Sequence, residues 1–200
     1  MSKGELFNAT LMPDDDWWHV LWPDPSRVVK DVGIIKDMEV VDLCCGDGYF
    51  TKPICDAVNP GQVYAIDMDT NLLARAEKAC FPSSNFKLIC GDALDLPQLV
   101  NGKVDYVFMA NTFHGVPDQL FLSMAINKVL KDGGRFSVIN WNRVPREDTP
   151  VLDQPRGPEF NLRMKPEEVQ SVVEPAGFVL DKMVDVGPFH YAAIFYKITH

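Results

Sequence analysis

The 200-residue chain has no apolar run approaching the 18 or more residues that mark a membrane span. Its opening, Met1-Ser-Lys-Gly-Glu-Leu6, lacks the apolar core of a signal peptide, so a cytoplasmic protein is expected. Five cysteines, Cys44, Cys45, Cys55, Cys80 and Cys90, form an odd set without a C-x-x-C pair. That excludes the usual patterns of a disulfide framework and of a zinc site, and no metal is expected. Basic clusters are missing too: 19 Lys and Arg stand against 28 Asp and Glu, a formal net charge of -9. Binding to a phosphate backbone draws on clustered cations, and the nearest candidates, Arg143, Arg146, Arg156 and Arg163, are interrupted by acids and prolines. These arginines read as a solvated loop, and nucleic acid is not an expected partner. Internal repeats and low-complexity tracts are absent.

What remains is a chain of 46% hydrophobic residues, enough to fill the core of one globular domain over residues 1–200. Its most informative stretch runs from Met38 to Phe50, Met38-Glu-Val-Val-Asp-Leu-Cys-Cys-Gly-Asp-Gly-Tyr-Phe50. An apolar strand ends at an acidic residue and turns through two glycines spaced by one. Such a pair lets backbone approach a ligand closely and tolerates positive backbone angles. No lysine followed by serine or threonine is present there, as a phosphate loop needs, and no third glycine completes a dinucleotide spacing. A nucleotide-type cofactor without phosphates fits that turn.

From about residue 38 onward, short β-branched runs alternate with helical periodicity. The pattern predicts strands over 38–43, 62–66, 85–90, 104–110 and 135–141, and helices over 49–58, 70–80, 118–130 and 166–175. Pro53 is tolerable only in the opening turn of its helix. The turn signals at 59–61 and 131–134 each stop a helix and launch a strand. Two last strands, 178–185 and 189–198, are joined too briefly for a crossover helix and must run antiparallel. The expected fold class is α/β: a doubly wound, Rossmann-like, mostly parallel seven-stranded sheet with an antiparallel C-terminal strand, in three α/β/α layers. Residues 1–35, with Asp14-Asp-Asp-Trp-Trp-His-Val-Leu-Trp22 and a short helix over 26–32, read as an aromatic cap on a catalytic core at 36–200. The proline-rich segment 144–162 reads as a mobile loop or lid.

Several stretches, in order, resemble the motifs of class I S-adenosylmethionine-dependent methyltransferases of the small-molecule type. Asp42-Leu-Cys-Cys-Gly-Asp-Gly48 resembles the first motif, Tyr64-Ala-Ile-Asp-Met-Asp69 the second and Gly91-Asp-Ala-Leu-Asp-Leu-Pro97 the third. Met109-Ala-Asn-Thr-Phe-His-Gly-Val-Pro117 resembles the fourth-strand motif, and Val129-Leu-Lys-Asp-Gly-Gly-Arg-Phe136 the turn into strand five. The resemblance spans roughly residues 36–198. It implies methyl transfer from S-adenosyl-L-methionine to a small-molecule acceptor by direct in-line displacement. Cys44 departs from the pattern, since the family commonly has glycine there. Core packing is the plain role of Cys44 and Cys45; redox sensing or thiol chemistry is the alternative, and it requires an accessible thiolate.

Asp67 lies 19 residues after Gly48, near the spacing of an acid that accepts from both ribose hydroxyls. Met68 can lie against the adenine face or fill the core. The resemblance gives Asp92 and the Ala93 N–H to the adenine, and Asp42 and Asn111 to the methionine end of the cofactor. A turn or capping role is the other reading of Asp92 and Asp42. Cys44, Gly46 and Gly48 line the cofactor in this reading, whereas Asp47 is a turn residue. His114 is a candidate general base, its ordinary pKa being near neutral, or else a cap of the helix that follows. Asn140 and Trp141 at the end of strand five, with Trp17, Trp18, His19 and Trp22 of the cap, are candidate acceptor contacts; packing of the cap on the sheet explains the aromatics equally.

An oxygen, nitrogen or sulfur nucleophile is expected as acceptor. A protein-amide methyltransferase would carry an Asn-Pro-Pro-Tyr-like run where this chain has Asn111-Thr-Phe-His114. A non-catalytic S-adenosylmethionine-binding sensor or partner subunit is the alternative from another class, and a nicotinamide-dependent oxidoreductase is a third. The expected partner is a small molecule, with no membrane; a homodimer is compatible with the sequence.

Overall fold

The computed structural model describes residues 12–199. Its main sheet comprises β1 (Val40–Leu43), β2 (Val63–Asp67), β3 (Phe86–Cys90), β4 (Val104–Ala110), β5 (Leu130–Trp141), β8 (Phe178–Val186) and β9 (His190–Lys197). The order is β3-β2-β1-β4-β5-β9-β8, with β9 antiparallel to both neighbours and the remaining pairs parallel. Two further strands, β6 (Pro150–Val151) and β7 (Gln154–Pro155), form a separate small hairpin.

Seven α-helices accompany the strands among the described residues: α1 (Asp15–Leu21), α2 (Pro25–Asp31), α3 (Thr51–Val58), α4 (Thr70–Cys80), α5 (Leu96–Leu99), α6 (Gln119–Val129) and α7 (Pro166–Val173). Local chemistry explains their starts. Asp69 accepts from the N–H groups of Asn71 and Leu72, and Asp118 accepts from Phe121, so both act as N-caps. Pro53 falls in the first turn of α3, where its missing N–H would have no intrahelical partner anyway.

Strand alternation sends apolar residues to two cores. Along β5, Phe136 and Val138 join Leu122, Ile126 and Phe195 on one face, while Ile139 and Trp141 join Trp22, Ile54 and Ile194 on the other. The cap helix α1 belongs to the second core: Trp17, Trp18 and Trp22 are all buried.

Three expectations need correction. Strand five begins at Leu130, not at 135, because Leu130 already pairs with Val104; the ladder then skips to Arg135 opposite Tyr106, so 131–134 bulge out of it. The aromatic cap contains the helix α1, which its proline-flanked, acid-rich sequence concealed. Segment 144–162 is built: a 3-10 turn at Arg146–Asp148, the β6–β7 hairpin and a second turn at Phe160–Leu162.

Candidate functional site

The chain steps outward from β1 to β2 and β3, then crosses back to β4 on the other side of β1. This reversal opens a crevice at the C-terminal strand ends, where open parallel sheets bind ligands. Asp42 is the penultimate residue of β1, Asp67 ends β2, Asp92 follows β3 and Asn111 follows β4. The fold therefore lines up four polar residues that are far apart in sequence.

Asp67 organises the glycine-rich turn. One carboxylate oxygen accepts the Gly46 N–H at 2.9 Å and the other accepts the Asp69 N–H at 2.9 Å. A carboxylate has about four acceptor positions, so each oxygen keeps capacity for a hydroxyl donor. The turn itself winds through left-handed backbone at Cys44 (φ 60°), Gly46 (φ 58°) and Gly48 (φ 87°). Cys44 is thus a Cβ-bearing residue in a conformation that favours glycine. Gly48 has a packing reason of its own: a Cβ there would lie 2.8 Å from Ala76 Cα in α4. A Cβ on Gly46 would lie 3.0 Å from Met12 Sδ, so Met12 of the cap overlies the turn. Arg75 ties the same parts together, reaching Asp47 of the turn at 2.9 Å and Asp15 of α1 at 2.7 Å.

Acidic groups dominate the electrostatics around Cys44 and Cys45. Burial pushes the Cys44 thiol up, and the charges of Asp67, Asp42 and Asp92 push it further the same way. A thiol held neutral is a poor nucleophile, which counts against the thiol-chemistry reading of Cys44. The Cys45 thiol is raised by burial and by Asp42 and Asp67 in the same manner. Burial also raises the Asp42 carboxyl to about 7, against the Thr51 hydrogen bond that lowers it and with the Asp67 charge that raises it. Thr51 Oγ1 donates to Asp42 Oδ2 at 2.6 Å, and this partner was not legible in the sequence.

Asp92 accepts the Leu94 N–H at 2.9 Å and caps the short turn Ala93–Asp95, so its capping role is present whatever else it does. Met68 directly follows β2, half-buried beside Asp67, and its carbonyl faces the Cys90 thiol at 3.7 Å. Asn111 has left-handed backbone (φ 60°), and among the described residues neither atom of its amide has a hydrogen-bond partner. Leaving buried amide atoms unpaired costs about 1–3 kcal/mol.

His114 sits in the 3-10 turn Phe113–Gly115. Its capping alternative fails because Asp118 caps α6. Together with Gln119, Arg143, Arg163, Met164 and Glu168, His114 lines a groove of about 370 Å³ that contains no residue of the 42–48 turn. Asn140 is buried on the opposite face of β5 from Trp141, beside Tyr191, whose hydroxyl donates to the Met164 carbonyl at 2.9 Å.

The cap aromatics are mostly core. Trp17, Trp18 and Trp22 interlock edge to face at 5.6 and 6.0 Å between centroids. His19 alone is exposed, packed at 5.1 Å on Tyr49. Trp141 is enclosed by the 142–163 segment: a Cβ on Gly157 would lie 2.8 Å from its ring, and the Arg163 guanidinium stands 5.2 Å above it.

His190 was missed altogether, and the reading of Arg163 as part of a solvated loop is corrected, because its side chain is buried. Arg163 is buried and donates to the carbonyls of Pro158 (2.9 Å), Arg156 (2.9 Å) and Asn142 (3.4 Å) and to Thr149 Oγ1 (3.0 Å). It holds the segment that had read as a mobile lid. His190 opens β9 opposite Trp141, its ring 4.2 Å from Trp141 and 4.4 Å from Trp22. The signal for it was available: an antiparallel last strand starts at the edge where the parallel strands end.

Strand order, the glycine turn and the polar strand ends define a Rossmann-like fold of the S-adenosylmethionine-dependent methyltransferase type. Residues 40–134 match the family model of a methyltransferase domain. Among relatives, it is 38% identical over 117 residues to a demethylmenaquinone methyltransferase of Staphylococcus aureus (strain JH9), covering 58% of this chain and 47% of that protein. The chain thus spans about half the length of the curated relatives it matches. In structure it resembles a SAM-dependent methyltransferase from Aquifex aeolicus, with TM-score 0.79 and 24% identity over 92% of this chain and 94% of the other. The DhpI–SAH complex is similar in fold, with TM-score 0.67 and 18% identity over 92% and 87% of the two chains. Among the described residues no helix is long and apolar enough to cross a membrane, and no group of three His, Cys, Asp or Glu could hold a metal.

Proposed function

We propose that this protein transfers a methyl group from S-adenosyl-L-methionine to a small-molecule acceptor. The observation that carries the reading is Asp67, an acid at the tip of β2 with both oxygens oriented by backbone N–H groups, one of them from the glycine turn. Oriented carboxylate oxygens suit a pair of adjacent ribose hydroxyls. Met68 would meet the adenine face, with Asp92 and the Ala93 N–H at its polar edge. Asp42 and Asn111 would face the methionine end, beside Cys44, Gly46 and Gly48. The residues present fit that group: its methionine end is cationic, and three carboxylates converge on the Cys44 thiol.

When bound, S-adenosylmethionine supplies a methyl activated by its sulfonium charge. The chain's own contribution is orientation and exclusion of water, with no covalent intermediate on the protein. His114 is the candidate to accept the proton an acceptor loses. The relative named for demethylmenaquinone supports a small-molecule acceptor rather than a macromolecule.

Calorimetric titration with S-adenosylhomocysteine and with NADH, followed by transfer of labelled methyl to a panel of hydroxyl, amine and thiol acceptors, tests this reading. Binding of S-adenosylhomocysteine alone, with labelled product, is the expected result. Binding without product from any acceptor supports a sensor or partner subunit instead, and preference for NADH overturns the cofactor assignment.

A further inference from the structure

The groove that His114 lines differs in charge from the rest of the molecule. The chain carries a formal net charge of -9, yet the Lys, Arg, Asp and Glu residues lining this groove are Arg143, Arg163 and Glu168, two cations and one anion. Arg163 is 2% exposed and donates only to three carbonyls and a hydroxyl, and among the described residues no carboxylate pairs with it. Burial lowers its pKa, as does the Arg146 charge, while Glu159 and Glu147 act the other way. A buried cation is costly unless a counter-charge offsets it, so pinning neutral groups does not by itself account for an arginine there. Arg143 is held differently. Glu168 accepts from its Nη1 at 2.6 Å, while the other Glu168 oxygen accepts the Lys165 N–H at 2.7 Å. The Arg143 Nε is buried without a partner, and Nη2 makes no hydrogen bond among the described residues. With 27% of the side chain exposed, the terminal nitrogens are the donors left for a ligand.

We propose that this groove is a binding site for a small molecule that carries one carboxylate on an apolar skeleton, with Arg143 as the direct partner of the carboxylate and Arg163 supplying the second positive charge. The groove contains no residue of the 42–48 turn, so this site stands whether or not the methyl-transfer reading does. Two positive charges and one negative leave a single positive charge, which matches a carboxylate better than a phosphate group with its charge of about −1.5 to −2. A guanidinium also meets a carboxylate with parallel N–H donors. Leu162, Met164 and Val172 line the same groove, each half-buried, and give the skeleton an apolar wall. The volume of about 370 Å³ falls within the range of small-molecule sites.

Calorimetric titration with benzoate, benzyl alcohol and inorganic phosphate at constant ionic strength tests the site, with the thermal midpoint of each variant recorded. The wild type is expected to bind benzoate about tenfold or more tightly than benzyl alcohol, the scale of a hydrogen bond to a charged group. Phosphate at equal concentration should not displace it. Arg143→Ala should fold and lose the preference for benzoate, whereas Arg143→Lys, which keeps the charge without the fork, should retain part of it. Equal benzoate affinity in Arg143→Ala and wild type overturns the proposal, as does a wild type that binds neither benzoate nor benzyl alcohol, or both alike. Displacement of benzoate by phosphate overturns the carboxylate assignment. If Arg143→Ala does not fold, Ser171→Trp decides, because it adds bulk at an exposed position lining the groove: lost benzoate binding supports the site and unchanged affinity overturns it. These titrations contain no cofactor, so a failure to bind S-adenosylhomocysteine bears on the methyl-transfer reading alone.

Discussion

The carboxylate of Asp67 accepts the Gly46 N–H at 2.9 Å, joining the end of β2 to the glycine turn that follows β1. One side chain thus shapes the turn and retains acceptor capacity toward the crevice. Replacing Asp67 by Ala should weaken S-adenosylhomocysteine binding by about 1–3 kcal/mol, the cost of leaving polar partners unpaired. Asp67→Asn should fall between, because an amide still accepts on one side. Unchanged calorimetric affinity in Asp67→Ala would remove the ribose assignment.

Asp42 makes both stability and binding depend on pH. Its pKa is about 7 in the fold against an ordinary value of 3.8. Below the ordinary value both folded and unfolded forms are protonated and no penalty exists. As pH rises toward 7 the unfolded chain ionises first, so this group's contribution to stability is lost across that window. The melting temperature of Asp42→Asn relative to wild type should therefore rise between about pH 4 and 7 and level off above it. A cation bound nearby favours the ionised form, so wild-type affinity for S-adenosylmethionine should increase from pH 6 to 8 and that of Asp42→Asn should not. Parallel pH profiles of the two proteins would exclude the linkage.

Cys44 occupies left-handed backbone, at a cost of roughly 1 kcal/mol for a residue with a Cβ. Glycine removes that strain but loses more entropy on folding, so Cys44→Gly should range from neutral to about 1 kcal/mol more stable in urea unfolding. In the native wild type, iodoacetamide at pH 8 should leave the Cys44 thiol unmodified, as mass spectrometry of tryptic peptides will show. Rapid alkylation there would restore the reading of a reactive thiol.

Asp118, not His114, caps α6. If it accepts the acceptor's proton, His114→Gln should lower turnover about 10²-fold or more. Cofactor affinity should stay the same, since the groove His114 lines holds no residue of the 42–48 turn. A rate near wild type, without pH dependence, would assign His114 to structure.

Arg163 holds four acceptors of the 142–163 segment, three of them carbonyls. Arg163→Ala removes all four of these bonds, although the Arg156 carbonyl keeps the one from Thr149 Oγ1, and should cost roughly 2–4 kcal/mol of stability. New cleavage sites within 142–163 should appear in limited proteolysis. A loss within about 0.5 kcal/mol, the range of surface substitutions, would show that the segment is held by other contacts.

Sequence alone determined the α/β alternation, the reversed last strand and the order of the polar strand ends. Each of these depends on local periodicity or on a loop too short for a crossover, and local signals survive in one dimension. Asp67, Asp92 and Asn111 could be placed at strand ends because those ends are readable from short apolar runs. Thr51, Arg163 and His190 could not be, because their roles come from contacts across 9 to many more residues: Thr51 with Asp42, Arg163 with Thr149, His190 with Trp141 and Trp22. Only the tertiary structure decided that the cap tryptophans are buried, that the proline-rich segment closes on a buried guanidinium, and that a histidine outside every motif reaches the edge where β5 ends. The physical reason is burial: whether a polar group is satisfied, orphaned or charged depends on what the packed sheet brings beside it.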